Sequence, residues 1–361
     1  MRVKSKKRKK VFNPLFILTQ SPGVNWYRAE NYRKYMSDGM TWPEYGPDIL
    51  PNWEQVVLAK KDVLFLLEKE WGKASMVISQ RVSTRIGLAT LMGMKSKHPR
   101  PVFCEIDDDV FAVESCSPGF GSVHPGSEAE TMFKEQLEWS DGVIVSTEEL
   151  KRIYSKYNKN IIVIPNGIDF KVWGIANKKK VKKNKKIKIV WQGSMNHFDD
   201  LKILSQVVPK ILKEFKNVEF HFVGLLPDFI KQKGTFYHEP VITDKYPKYM
   251  VDINPDIILA PLKDHRFNRS KSNLRVLEAG AMKKAIVASS NPKLAYGQTI
   301  EHGHDGLLAK NTEDWIEYIT YLIRCPEERE ILGENLYEKV KEKYNVRKIA
   351  KEYEEILRRR K

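Results

Sequence analysis

Short apolar runs, each stopped by a glycine, a proline or a polar loop and followed by a stretch with helical spacing, recur along the whole chain. That rhythm admits few folds. Strands covered on both faces read as continuous apolar runs, and neighbouring parallel strands need a long crossover between them, usually a helix. The chain is therefore predicted to be α/β with parallel sheets. In the first half, strands are expected over 15–19, 76–79, 102–106, 142–146 and 161–164. A helix is expected over 128–139, where Ala129, Met132, Phe133 and Leu137 share one face. Pro165, Asn166 and Gly167 then break the pattern.

The rhythm restarts after a lysine tract. Strands are expected over 187–191, 218–223, 257–260 and 285–288, and a helix over 199–215 with Leu201, Leu204, Val208, Leu212 and Phe215 in register. Pro209 should kink or shorten that helix. A further helix is expected to begin at Thr312 as its N-cap, with Trp315, Ile319 and Leu322 on one side. The last segment, 346–361, is charged apart from a stripe of Ile349, Tyr353, Ile356 and Leu357. At 361 residues, two doubly wound domains joined near 172–186 are the simplest account.

The net charge of +16 is local. Residues 1–10 carry seven positive charges and residues 178–188 carry eight, leaving about +1 for everything else. Such tracts serve as solvated tails and linkers, or attract anionic lipid or DNA. Three widely spaced cysteines, Cys104, Cys116 and Cys325, argue against a disulfide framework or a zinc site and for a reducing compartment. No apolar run approaches the roughly 20 residues of a membrane span. A cytoplasmic protein, with membrane contact through its basic tracts as an option, is expected.

Residues 256–281 are the most informative for function. The apolar run 257–260 meets Pro261, then a polar loop with Lys263, His265, Arg266, Asn268, Arg269 and Lys271, then a helix whose apolar face holds Glu278. The crevice beyond the carboxyl ends of parallel strands is where α/β proteins bind ligands, and helix N-termini there offer N–H groups to anions. A carboxylate on an apolar face needs partners. Sugar hydroxyls would supply them, as would a neighbouring backbone or basic group.

The second half resembles the nucleotide-sugar glycosyltransferases of family 4 (glycosyltransferase group 1). The stretches that carry the resemblance are IPNGID (164–169), IVWQGSMNHFDDL (189–201), FHFVG (220–224), APLKDHRFNRSKSNLRVLEAGA (260–281), AIVASS (285–290) and TIEHGHDGLLAKNTEDW (299–315), in the family's order. The resemblance implies two Rossmann-like domains facing across a cleft, the GT-B type. It divides the chain into a basic arm (1–10), an acceptor domain (11–172), a basic linker (173–186), a nucleotide-sugar domain (187–345) and a helix (346–361) crossing back to the first domain. It also implies a hexosyl- or related transferase that moves a sugar from a nucleoside diphosphate donor to a hydroxyl acceptor with retention, without a metal or other cofactor.

Carried over residue by residue, the resemblance puts Glu278 on the ribose. Lys271 falls at the diphosphate with the amides of Ser272 and Asn273, and Gly193, Ser194 and Gly224 fall at the ends of donor-side strands. Ser270 stands where the family has the first Glu of its E-x7-E pattern, so the usual contact to the donor sugar is missing. The cations usual after the strand-ending glycine are also missing: Ser194, Met195, His197 and Asp199 stand there, and His197 reads equally as a loop residue. Lys271, Arg269 and more weakly Arg266 are left to meet the diphosphate, with the amides around Asn268. In the first half, the SPGVNWYR segment (21–28) places Gly23 and Arg28 in a loop like the family's glycine-rich one. Asp107, Asp108 and Asp109 stand near where relatives carry a His. Asp107 or Asp108 would serve as a base or hold a sugar hydroxyl, the remainder capping the next segment or pairing with Arg81 or Arg85. Trp26, Tyr27, Trp42 and Tyr45 would form an aromatic platform for an acceptor. The same fold would also suit a nucleotide-sugar epimerase, a non-catalytic binding module, or a phage-type enzyme that glycosylates DNA bases and grips phosphates through 1–10 and 178–188.

Overall fold

The computed structural model describes residues 12–18, 22–36, 61–113, 115, 120, 123–174, 186–241 and 245–360. The basic arm, most of the lysine tract, Ser21, Trp42, Tyr45 and Cys116 lie outside them. The first sheet holds β1 (Pro14–Ile17), β2 (Met76–Gln80), β3 (Val102–Ile106), β4 (Gly142–Val145) and β5 (Ile161–Val163). All are parallel and they lie in sequence order. Because crossovers between parallel strands are right-handed, a sheet wound in one direction stacks its crossover helices on one face. The helices Lys61–Lys73, Arg85–Lys97, Glu128–Trp139 and Glu148–Tyr154 do this, packing on Leu15, Ile17, Val77, Val102, Cys104 and Val143.

The opposite face, with Phe16, Ile78, Phe103 and Ile144, is closed from two sources: the helical segment after β1, through Ala29 and Tyr32, and the helix Val346–Arg358. The latter inserts Val346, Ile349, Ala350, Tyr353 and Leu357, with Tyr353 edge-on to Tyr32 at 5.5 Å. Residues from beyond the second domain thus complete the first domain's core. Deleting 346–361 removes four large apolar side chains, each worth roughly 1.5–3 kcal/mol of burial. The expected result is loss of the first domain's unfolding transition while the second domain keeps its own. A shortened chain that melts like the full one would overturn this packing.

The second sheet runs β11-β10-β9-β6-β7-β8, from β6 (Ile187–Gln192), β7 (Val218–Val223), β8 (Thr235–His238), β9 (Ile257–Ala260), β10 (Ala285–Ser289) and β11 (Leu307–Ala309). This is the doubly wound order, with its reversal between β6 and β9, where Ile189 pairs with Ile257. Among the described strands, only this domain is doubly wound. Glycines hold the strand ends together at the reversal. Gly224 has φ +89, and a Cβ on it would lie 2.4 Å from the carbonyl oxygen of Gly193. Gly193 donates to Val223 O at 3.0 Å, and a Cβ there would lie 2.5 Å from the Trp191 ring. The expected helix over 199–215 is divided into a 3-10 stretch, Asp200–Leu204, and an α-helix, Val207–Glu214. Pro209 falls in the first turn of the latter, where a missing N–H loses no intrahelical bond. Asn311, not Thr312, caps the helix Thr312–Arg324, accepting from Asp314 N at 2.8 Å. Among the described residues no helix is long and apolar enough to cross a membrane.

Candidate functional site

A cavity of about 390 Å³ opens between the domains at the β6/β9 reversal. The second domain lines it with Ser194, His197, Lys271, Ser272, Arg275 and Glu278, and the first domain with Gly23, Tyr27, Asp107 and Asp108. A neighbouring space of about 680 Å³ shares Gly23, Ser194 and Arg275 and adds Gly193 and Gly224. Both volumes are in the range of small-molecule sites.

Glu278 lies in the helix Leu274–Ala281 and is buried. Of the partners expected for it, sugar hydroxyls or a neighbouring backbone or basic group, the protein supplies the basic one and two further donors. Tyr27 Oη donates to Oε1 at 2.8 Å, and Gln192 Nε2 and Arg275 Nη1 donate to Oε2, each at 2.7 Å. Burial and then the Glu278 charge hold the Tyr27 phenol well above its ordinary pKa. Tyr27 is therefore a bridge between domains rather than an open aromatic platform.

Lys271 points toward the acids of the other domain, with Nζ 3.7 Å from Asp108 Oδ1 and 4.4 Å from the centre of the Phe267 ring. Burial, and after it the neighbouring Asp108, push the Asp107 carboxyl up to about 8. Its neutral form is favoured by folding, so its contribution to stability is complete below about pH 4 and is lost as pH rises toward 8. Asp107→Asn is expected to stabilise the protein by about 1–2 kcal/mol at pH 8 and by much less at pH 5, the half-buried position screening part of the effect. Thermal melts at the two pH values measure it. An equal shift at both would show that Asp107 carries no such penalty.

Asp109 does not share this cavity. It is buried, caps the turn Val110–Ala112 by accepting from Phe111 N at 3.2 Å, and pairs with Arg266 of the second domain at 2.8 Å. Arg266 is thus committed to the domain junction. Arg85, the alternative partner for the acids, pairs with Glu128 instead, while Arg81 shares a small space with Asp107 and Asp108.

Several expected ligand contacts have other partners. The segment expected as a polar loop contains a short helix, Arg266–Ser270, none of whose residues lines the cavity. Ser270 is fully buried: its Oγ donates to Phe267 O at 2.6 Å and accepts from Asp109 N at 3.2 Å, and its carbonyl accepts from Thr147 Oγ1 at 3.1 Å. The position that lacks the family's carboxylate is a peg between domains. Asn268 is also buried, donating to Asp200 Oδ1 at 2.8 Å and Lys263 O at 3.0 Å. Arg269 pairs with Asp264 at 2.5 Å and lines an adjoining space of about 530 Å³ with Glu149, Lys271 and Lys293. Ser272 Oγ accepts from Asn166 Nδ2 at 2.9 Å, and Asn273 Nδ2 donates to Thr299 Oγ1 at 3.0 Å.

Two first-domain expectations are corrected. Gly23 belongs to a helical turn, Pro22–Asn25, which continues into a π-turn, Trp26–Glu30, so no glycine-rich loop stands there. Arg28 is buried away from the cavity. Its Nε donates to Glu105 Oε1 at 2.7 Å and its Nη1 to Ile164 O at 2.7 Å and Asn166 Oδ1 at 3.0 Å. Burial works against its charge, and Glu105 more than reverses that, so its pKa stands above the ordinary value.

Sequence reasoning missed Gln192, Arg275, Asn166 and Asp200. Arg275 left a signal, lying three residues before Glu278 on one helix face. The one grouping among the described residues with a spacing that would suit a metal is Glu301, His304 and Asp305, where Asp305 already pairs with Lys339 and accepts from Glu301 N at 2.8 Å.

Residues 186–325 match the family model described as Glycosyl transferases group 1. That match covers most of the second domain. Over 217 residues the chain is 28% identical to an uncharacterised glycosyltransferase of Methanocaldococcus jannaschii, covering 56% of this chain and 53% of that protein. The chain thus spans about half the length of that curated relative. Among solved structures it is similar to a glycosyltransferase from Rickettsia africae, with TM-score 0.62, 15% identity, and 96% of this chain and 98% of that one covered. It is also similar to HepE of Anabaena in complex with UDP and glucose, with TM-score 0.58, 13% identity, and 82% and 81% covered. The two domains together therefore share the two-domain α/β fold of these proteins.

Proposed function

We propose that the chain is a retaining glycosyltransferase of family 4 that moves a sugar from a uridine diphosphate donor to a hydroxyl acceptor. The observation that carries this reading is the meeting, in one interdomain cavity, of Lys271 and Glu278 from the β6/β9 reversal with Asp107 and Asp108 from the first domain. HepE of Anabaena, which shares the fold, is solved with UDP-glucose, and this supports a uridine nucleotide here. In this reading Glu278, steadied by Arg275 and Gln192, exchanges its Tyr27 bond for a ribose hydroxyl. Lys271 stabilises charge on the departing diphosphate, whose oxygen takes the acceptor proton on the same face of the sugar. Asp107 in its neutral form donates to a sugar hydroxyl and Asp108 accepts from one. The diphosphate charge is met by protein cations and no metal is required.

The test is a donor screen. The protein is incubated with uridine, guanosine and adenosine diphosphate sugars, with and without hydroxyl acceptors, and nucleoside diphosphate release is followed. Release from a uridine diphosphate sugar is the expected result. Binding with no release from any donor would favour a non-catalytic binding protein, and epimer formation without release would favour an epimerase.

A further inference from the structure

We infer that His197 is a second cationic partner of the donor diphosphate in this chain, beside Lys271, and that it becomes charged as the nucleotide binds, so that binding takes up a proton. The inference rests on the nucleotide-sugar reading above. Between Gly193 and Asp199 the chain offers no lysine or arginine, and His197 is the one residue there able to carry a positive charge. It is held in place for such a role. Nδ1 lies 2.8 Å from Asp200 Oδ2, and Asp200 is itself buried, its other oxygen accepting from Lys263 N and Asn268 Nδ2, each at 2.8 Å. The ring stands edge-on to Trp191, with centroids 6.4 Å apart, and lines the interdomain cavity.

With a carboxylate on Nδ1, the proton of the neutral ring sits there, and Nε2 is the nitrogen left for a ligand. The charged and titratable groups around it come from both domains: Asp200 on its own segment, Lys271, Arg275 and Glu278 from the following helical region, Tyr296, and Asp107 and Asp108 from across the cleft. Burial holds the ring below its ordinary pKa. The Asp200 bond works the other way, and Lys271 and Arg275 add to the effect of burial. An arriving diphosphate inverts this balance: a bare Nε2 lone pair repels phosphate oxygens, whereas a protonated ring donates to them with charge assistance. Affinity is then greatest at low pH and falls as pH rises from the pKa of the free ring to that of the bound one.

The test uses the full chain with UDP, GDP and ADP as probes, the tightest carried forward into calorimetry in buffers of different ionisation heat. Near pH 7 the native protein should take up a substantial fraction of one proton more than His197→Gln, the comparison cancelling the nucleotide's own phosphate titration. Between pH 6.5 and 8.5 the native affinity should fall about tenfold further than that of the variant, roughly tenfold for each unit by which binding raises the pKa. His197→Arg should bind within about threefold of the native protein, with no extra proton uptake and no added pH dependence. Equal uptake in native protein and His197→Gln, with binding intact, would overturn the inference and leave the transferase reading standing. Binding of none of the three nucleotides would overturn both.

Discussion

Alanine in place of Lys271 is expected to lower kcat/KM for sugar transfer by about 10²–10³-fold while leaving the melting temperature almost unchanged. The effect is large because the largely buried ammonium group works where charge develops, and because among the described residues no other lysine lines that cavity. The small thermal effect follows from geometry. At 3.7 Å from Asp108, Lys271 makes no short side-chain hydrogen bond to the described residues that its loss would leave unsatisfied. Its removal also takes a positive charge away from Asp107, which should hold its proton more firmly still. Initial rates of nucleoside diphosphate release, measured with the donor found in the screen, decide the matter. A loss below about fivefold would remove Lys271 from the leaving-group side of the reaction.

Arg28→Met is expected to act in the opposite manner, on stability before activity. The guanidinium is enclosed by Glu105, Ile164 O and Asn166, and its loss leaves the Glu105 carboxylate buried with, among the described residues, only Gln80 Nε2, at 3.2 Å, as a side-chain donor. Removing one partner of a buried ion pair costs about 3–5 kcal/mol, which for a domain of this size lowers the melting temperature by roughly 10 °C. Pairing the change with Glu105→Gln should recover more than half of the loss, since the stranded charge is then gone. If Arg28→Met instead abolished nucleotide binding with an unchanged melt, Arg28 would be a ligand contact, as its position beside Gly23 first implied.

The elements most legible in the sequence were those whose burial leaves no ambiguity. Val102–Ile106, Glu128–Trp139, Val218–Val223 and Ile257–Ala260 have the predicted bounds because apolar runs and helical spacing end there at polar or turn-forming residues. β8 escaped because it is a four-residue edge with Phe236 and Tyr237 exposed, and β11 because three residues carry no period. At the site, a carboxylate on an apolar helix face announced that Glu278 must have partners. Arg275, three residues earlier on the same helix, was within reach of the sequence, whereas Tyr27, from 251 residues away, was not. Ser270 likewise stood out as a departure from the family pattern. Its use against Asp109 and Thr147 depends on how the two domains meet, and that information is spread over both halves of the chain.

The helix Val346–Arg358 also bears on the order in which the molecule is made. The first sheet is synthesised early, yet one of its faces stays only partly covered until that helix is available. At about 5–20 residues per second, the ribosome needs on the order of ten to forty seconds to pass from β5 to this helix. Throughout that interval Phe16, Ile78 and Phe103 lack part of their cover. The second domain, whose core clusters draw nothing from residues 346–358, is free to fold first. The earlier-made half then finishes last, and a nascent-chain chaperone would find its binding surface on the first sheet.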